Sequence, residues 1–287
     1  MHDEEFWTER FEEHRPRLRA VAYRMLGSLA EADDAVQETW LRMARAGADD
    51  VEDLAGWLTT IVSRQCLTVL RSRAARREKP LDVRVPDPVV DRAGTDHDDP
   101  AEQTVLADTV GLALLVVLDE LAPAERLAFV LHDMFAVPFD EIAPLVGRTP
   151  VAARQLASRA RRRVQGSAAA GRPDRTRHGA VVDAWIAASR RGDLAGLVAL
   201  LDPDVVLRVD TGGAGSVLVR GADAVAGRAL VYRGATEARV ALVNGVPGIV
   251  SAARGRTVAV LAFTVVDGRI VEIDVLNDPV RLARLVP

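Results

Sequence analysis

Arg154, Gln155 and Ser158 fall within about one helical turn of one another in the stretch VAARQLASRARRRV, which goes on to Arg159, Arg161, Arg162 and Arg163 with no acid between. Arginine and glutamine grip guanine and adenine edges through paired hydrogen bonds, so the first three residues have the chemistry of base reading. The later arginines suit backbone phosphates. The preceding residues, FDEIAPLVG, predict a short helix closed by a left-handed cap at Gly147. Arg148 follows, then Thr149 as an N-cap and Pro150 at the first helical position, where the missing N–H costs nothing. A helix, a short turn and a basic second helix suit insertion into a major groove. Arginine runs more often mark a solvated helix face, but the capped turn in front of this one favours DNA. Pro144 opposes the Asp140 carbonyl inside the first helix, at a cost of about 3 kcal/mol, so the pattern predicts a kink or a later start.

A second set of residues lies nearer the N-terminus. EADDAVQETWLRM places Asp34, Gln37 and Glu38 on one helical face, with Asp33 and Leu41 beside them. GWLTTIVSRQCLTVLRSRAARRE then opens on Trp57 and ends in Arg71, Arg73, Arg76, Arg77 and Lys79. An acidic helix followed by a basic, aromatic-led one suggests two different partners. Trp40 and Trp57 are equally suited to plain core packing.

The elements that must carry these residues follow from apolar spacing and composition. Three- and four-residue periodicity predicts helices over 14–30, 34–43 and 56–70, and three short helices within 119–165 punctuated by Pro123, Pro138 and Gly147. The 287 residues, 49% apolar, exclude wholesale disorder and suit two or three domains. The net charge of −4 argues against a uniformly basic coat protein but averages unlike parts. Residues 80–108 carry eight acids and two bases, with several prolines, and read as a linker. The expected organisation is a helical domain over 1–79, an acidic linker over 80–103, a helix-turn-helix domain over 104–166, a linker over 167–177 and a third domain over 178–287.

The third domain changes character. Helical patterning covers 178–201 and is ended by Asp202-Pro203. β-Branched runs follow at 205–209, 217–219, 239–243, 257–266 and 269–275, with Asp267-Gly268 a two-residue hairpin turn. An antiparallel sheet after two helices is expected. Glu272 and Asp274 alternate onto one face of the last strand, where they would line a cavity or face water.

The single cysteine, Cys66, excludes an internal disulfide, and five scattered histidines have no ligand spacing. Neither a metal nor a soluble cofactor is expected. The longest apolar runs, Val110–Leu118 and Val258–Val266, are about half of what a membrane helix needs. The charged N-terminus is unlike a signal peptide, and the chain reads as cytoplasmic, with no membrane partner.

DDAVQETWLR, WLTTIVSRQCLTVLRSR and LAPAERLAFVLHDMFAVPFDEIAPLVGRTPVAARQLASRARRRV together resemble an RNA polymerase sigma factor of the extracytoplasmic-function class. The first two are similar to its region two and the third to its region four. The resemblance implies that Asp33, Asp34, Gln37, Glu38 and Leu41 face the β′ clamp helices of core RNA polymerase. It implies that Trp57, Thr60, Ser63, Arg64, Arg71, Arg73 and Arg76 open and hold the minus-10 promoter element. It also implies that region four meets the β flap, and that Arg148, Thr149, Arg154, Gln155, Ser158, Arg159 and Arg162 read the minus-35 element. Many members have Arg-Asn where this chain has Ser63-Arg64, and Asp where it has Thr68, which bears on base preference. The acidic linker would run, self-repelling and extended, along the basic RNA-exit path of the polymerase.

Residues 178–287 resemble a SnoaL-like α+β cone, the fold of polyketide cyclases and ketosteroid isomerases. A subgroup of these sigma factors carries such an extension, with a motif in the linker, a glycine motif and a motif near the end. RVPDPVV, DTGGAG and NDPVRL stand in those places here, without the lysine usual in the glycine motif. The resemblance implies two all-α sigma domains followed by the cone, with a regulatory role for Asp210, Gly212, Gly213, Asn277, Asp278 and Pro279. It leaves room for an unidentified small ligand in the cone. Two other readings compete: a helix-turn-helix regulator that acts without a sigma role, and a cyclase or isomerase in the C-terminal domain.

Overall fold

The computed structural model describes residues 2–46, 51–76, 83–91, 111–167, 174–213, 215–231 and 237–286, with side chains from residue 6 onward. The remainder of the two expected linkers and residues 104–110 lie outside the described residues. The chain divides into two compact units, 1–78 with 117–166 and 79–116 with 167–287.

The first unit is helical. α1 (His2–Leu26), α2 (Leu29–Ala46) and α3 (Leu54–Arg76) pack mutually, burying Leu18, Val21, Met25, Leu26, Val36, Met43, Leu58, Val62 and Leu67. These are the periodic positions of the sequence, on helices longer than their apolar stretches. α4 (Leu112–Asp119) straddles the division between the units. α5 (Pro123–Phe129) widens into a π-helical turn over Val130–Met134, and α6 (Phe139–Val146) and α7 (Pro150–Gln165) complete the unit. Gly147 adopts φ 66° and ψ 42°, the left-handed cap. Pro144 lies inside α6, which nevertheless starts at Phe139, so the helix runs through its proline rather than beginning after it.

The second unit is α+β, the class expected. α8 (Arg175–Arg191) and α9 (Leu194–Leu200) lead into β1 (Leu201–Asp210). The helical patterning over 178–201 thus divides at Gly192-Asp193 into the two helices expected: Gly192 is left-handed and Asp193 caps α9. Asp202-Pro203 opens the first strand instead of separating it from the helix. β2 (Val217–Arg220), α10 (Ala222–Val231), β3 (Glu237–Val243), β4 (Val246–Ala253), β5 (Arg256–Val266), β6 (Arg269–Leu276) and α11 (Pro279–Leu285) follow.

The six strands form one sheet in the order β2-β1-β6-β5-β4-β3. It is mixed rather than antiparallel, because β1 and β6 pair in parallel, Leu207 against Ile273 and Val209 against Val275. Alternation along a strand reports which face is buried and is silent on strand direction. Asn244-Gly245, Arg254-Gly255 and Asp267-Gly268 all have positive φ at both residues, giving three tight turns of the hairpin kind. The core, built around Trp185, Val182, Leu197, Val205, Ile249, Phe263 and Ile273, sits between the sheet and α8, α9 and α10.

Candidate nucleic-acid interface

The base-reading candidates stand on a stable support. Thr149 Oγ1 accepts from the Ala152 N–H at 3.3 Å and starts α7, so this threonine is occupied as a cap. Ala153, Ala157, Ala160 and Val164 are buried. The opposite face presents Arg154 and Gln155 to solvent, with Ser158 half-buried beside them and Arg148 and Arg162 exposed. Val151, 66% exposed, shares that face at the entry to the helix. Sequence reasoning did not single it out; an apolar residue there suits a thymine methyl. The Arg154 guanidinium lies 5.4 Å from the Phe139 ring centroid, which orients it.

The later arginines are less free than their spacing suggests. Arg159 Nε donates to Glu125 at 2.8 Å, Arg163 lies 3.8 Å from the same carboxylate, and Arg161 Nε donates to Asp133 at 2.7 Å. Arg159 therefore braces α7 against α5, and contact with a phosphate would require it to exchange partners.

On α2, Asp34, Gln37 and Leu41 are exposed at three- and four-residue spacing. Glu38 is half-buried and pairs with Arg42 at 3.2 Å. Asp33 departs from the expected contact set, because its carboxylate accepts from Arg19 at 2.6 and 3.3 Å.

On α3, Arg64 and Arg71 are exposed, and Trp57 and Thr60 are half-buried. Two minus-10 candidates do not fit. Ser63 is fully buried on the core side of the helix. Arg73 donates to the Leu26 carbonyl at 2.9 Å and pairs with Glu31, tying α3 to the start of α2. A helix end rich in arginine gave no sign of which arginine turns inward. Arg76 belongs to α3, but its side chain lies outside what is described.

The two helical parts are joined through Arg126, which is 1% exposed. Its Nε donates to the Arg24 carbonyl at 3.1 Å and its Nη1 to Asp119 at 2.9 Å. Arg17 donates to the Phe135 carbonyl at 3.1 Å, and the guanidinium carbons of Arg17 and Arg24 lie 5.5 and 5.3 Å from the Phe135 ring centroid. Burial pushes the neighbouring Cys66 thiol up to about 12. A cleft of about 200 Å³ runs between Asp53, Thr59 and Thr60 on one side and Phe135, Val137 and Pro138 on the other. Thr60 thus faces the helix-turn-helix portion of its own unit.

In the second unit, Arg281 on α11 was not singled out from NDPVRL, yet it gathers most of the candidates around it. Nε donates to Asp87 at 2.7 Å, Nη1 to Asp210 at 2.7 Å and Nη2 to the Val85 carbonyl at 2.6 Å. The Val85 N–H donates to Asp210 at 2.9 Å. Asp210 also accepts from the Gly212 N–H at 2.9 Å, and its carbonyl accepts from the Asn277 N–H at 2.7 Å. Asp278 caps α11 by accepting from Val280 at 2.8 Å, with Pro279 at the first helical position. Gly212 has φ 79°, and a Cβ there would strike the Asp278 carboxylate. Gly213 takes no part: it is exposed, and a Cβ there would meet nothing.

The acidic linker is accordingly not held off by self-repulsion over residues 83–91. Val85 and Asp87 are buried, Val90 bridges to Val243, and Asn244 bonds Val89 through both its amide N–H and its side chain. A local match of acid to arginine outweighs the average charge of the segment.

Glu272 and Asp274 do not line the cavity, and only the half-buried Glu272 keeps some contact with water. Both pair with Arg208, at 3.4 and 3.2 Å, and Asp274 is 1% exposed. Burial pushes the Asp274 carboxyl up to about 6 against the pull of Arg208. Burial lowers the Arg208 pKa, but the two carboxylates outweigh it and hold it above its usual value. His178 is buried, which lowers its pKa, and it does not line the cavity of this unit. That cavity, about 430 Å³, is walled mainly by apolar side chains of α8, α10 and the inner sheet face. Among the described residues no cluster of His, Cys, Asp and Glu could hold a metal ion, and no helix is long and apolar enough to cross a membrane.

Comparison with known proteins matches residues 10–76 to the family model "Sigma-70 region 2" and residues 111–164 to "Sigma-70, region 4". The chain is 42% identical over 280 residues to the ECF RNA polymerase sigma factor SigJ of Mycobacterium tuberculosis, covering 91% of this chain and 88% of that one. It is 38% identical over 275 residues to the probable ECF RNA polymerase sigma factor SigI of the same species, covering 93% and 91%. The crystal structure of M. tuberculosis SigJ superimposes with a TM-score of 0.74 at 37% identity, covering 96% of this chain and 98% of that one.

Proposed function

Because this chain belongs to the extracytoplasmic-function RNA polymerase sigma factors, we propose that it binds core RNA polymerase in the cytoplasm through α2 and reads two promoter elements. α3 takes the minus-10 element and α7 the minus-35 element. The observation that carries this reading is a pair of exposed stripes of unlike character: Asp34, Gln37 and Leu41 on α2, and Val151, Arg154 and Gln155 on α7. The first sets an acid, an amide and an exposed leucine in line, suited to a protein partner, here the β′ clamp helices. The second carries base-reading chemistry behind a capped turn. Arg64 and Arg71 would hold the minus-10 backbone beside Trp57 and Thr60, and region four would sit at the β flap.

A helix-turn-helix regulator without a sigma role has no use for the α2 stripe. The test is run-off transcription with core polymerase. Asp34→Arg with Leu41→Glu should abolish core binding and promoter-specific transcripts while leaving the helical signal and melting unchanged. Transcription that survives this double change overturns the sigma reading.

In the free chain, Arg126 and the Phe135 cluster hold the helix-turn-helix against α1 and α3. The two reading surfaces must part to reach separate promoter elements, so polymerase binding would open this junction. The C-terminal domain acts as a regulator through the Arg281 latch, which holds linker residues 83–91. Asp210, Gly212, Asn277, Asp278 and Pro279 build that latch. The domain is read as a regulator rather than an enzyme: among the described residues that line its cavity there is neither a carboxylate nor an imidazole to support proton transfer. Its cavity serves to hold a small ligand.

A further inference from the structure

The cavity of the α+β unit is built by alternation. Leu207 and Val209 of β1, Ile249, Ser251 and Ala253 of β4, Ala259 and Leu261 of β5, and Ile273, Val275 and Asn277 around β6 all face inward two residues apart. Small residues make the room: Ala238, Ala253 and Ala259 stand on strands, and Ala229 and Ser189 on the helices above. The resulting volume of about 430 Å³ lies within the ~300–1,000 Å³ of small-molecule sites.

Among the described residues, the wall is apolar except for Ser189, Arg190, Arg228, Ser251 and Asn277, and none of them is an acid. Arg190 stands exposed and donates to the Ala238 carbonyl at 3.1 Å. Arg228 is half-buried, with Nε cut off from solvent, and no hydrogen-bond or ion-pair partner meets it among the described residues. The segment that follows α10, YRGAT, has no acid to offer. Arg208, on the other face of the sheet, is matched by two carboxylates, and Arg281 by another two. A guanidinium that gives up water beside an apolar wall without a counter-charge is costly to keep, and an incoming anion would relieve that cost.

We propose that the cavity binds a small apolar carboxylic acid, its hydrocarbon body against Trp185, Leu207, Ile249 and Ile273 and its carboxylate on Arg228. Arginine forms paired, charge-assisted hydrogen bonds with a carboxylate, which fixes the ligand's orientation. A phosphorylated ligand fits less well, since the second cation on the wall, Arg190, is exposed and already donates to the Ala238 carbonyl. The proposal rests on the ligand-holding reading of the domain and names the class of ligand.

Isothermal titration of the full-length chain with decanoate, and in parallel with decan-1-ol, tests it. Decanoate should bind saturably, one per chain, and more tightly than decan-1-ol. Arg228→Gln should weaken decanoate by about tenfold or more, equivalent to ~1.4 kcal/mol, and leave decan-1-ol unchanged, which also shows that the variant is folded. Ala259→Trp, which fills the cavity, should remove both. Decanoate binding that Arg228→Gln leaves intact, or that is no tighter than decan-1-ol, overturns the acid specificity and spares the ligand-holding reading. If neither probe binds, both fail.

Discussion

Arg281 Nη1 and Asp210 Oδ2 meet at 2.7 Å, and the same guanidinium holds Asp87 and the Val85 carbonyl. One side chain thereby joins the C-terminal helix, the end of β1 and a linker segment far upstream. Breaking a charged hydrogen bond costs about 1.5–3 kcal/mol. Arg281→Ala is expected to free residues 83–91, seen as faster tryptic cleavage at Arg84, and to change run-off yield from a cognate promoter. Cleavage at the wild-type rate would show that the latch does not hold the linker.

Gly212 offers a second way to disturb the same site without touching a charge. Its positive φ and the closeness of Asp278 leave no space for a side chain. Gly212→Ala should destabilise the C-terminal domain by about 1–2 kcal/mol, measured by hydrogen exchange at β1 and α11. Gly213→Ala, where the added methyl meets nothing, should have little effect.

Arg154 and Arg162 should separate base reading from backbone binding. Arg154→Ala is expected to cost about 1–3 kcal/mol at one base pair of the minus-35 element and to relax preference there. Arg162→Ala should instead weaken all sequences alike and flatten the salt dependence. Binding of the holoenzyme to promoter variants over a range of salt concentrations distinguishes the two.

Cys66 reports on the junction between the helical parts. Its buried thiol, pushed up to about 12, should resist thiol reagents in the free chain at pH 8. Arg126→Ala removes the hydrogen bond to the Arg24 carbonyl and the ion pair with Asp119, and should speed labelling strongly. If labelling is unchanged, Arg126 does not hold the junction.

Asp274 should give the C-terminal domain a pH dependence of unusual sign. Burial pushes its folded carboxyl up to about 6, above the ordinary aspartate value of 3.8. The folded state therefore binds the proton more tightly, and this stability is full below that ordinary value and is lost as pH rises through about 6. Asp274→Asn should remove that fall. The difference between the two proteins, read by hydrogen exchange at β1 and β6 from pH 4 to 7, should grow with pH.

Much of this molecule could be read from its residues. Gly147, Thr149 and Pro150 announced the turn between α6 and α7 because cap chemistry is local. The Asp267-Gly268 hairpin was legible for the same reason. What escaped depends on partners distant in sequence. β1 pairs in parallel with β6, Arg73 turns inward to Glu31, and Arg281 finds Asp87, and none of these has a periodicity to betray it. β4 and α10 were missed because small residues, alanine, glycine and serine, interrupt their larger apolar ones. The same smallness makes the cavity, so the feature that hid these elements is the one that shapes the candidate site.

The Val85 carbonyl and the Arg281 guanidinium are separated by 196 residues of chain. At ~5–20 residues per second, roughly 10–40 s pass on the ribosome between synthesis of the linker and synthesis of the helix that fastens it. In the later part of that time, once α7 has been made, both DNA-reading helices exist while the linker is still unlatched. A newborn chain thus passes through a period in which polymerase could claim it before its own C-terminus does, and truncation before Pro279 would make that period permanent.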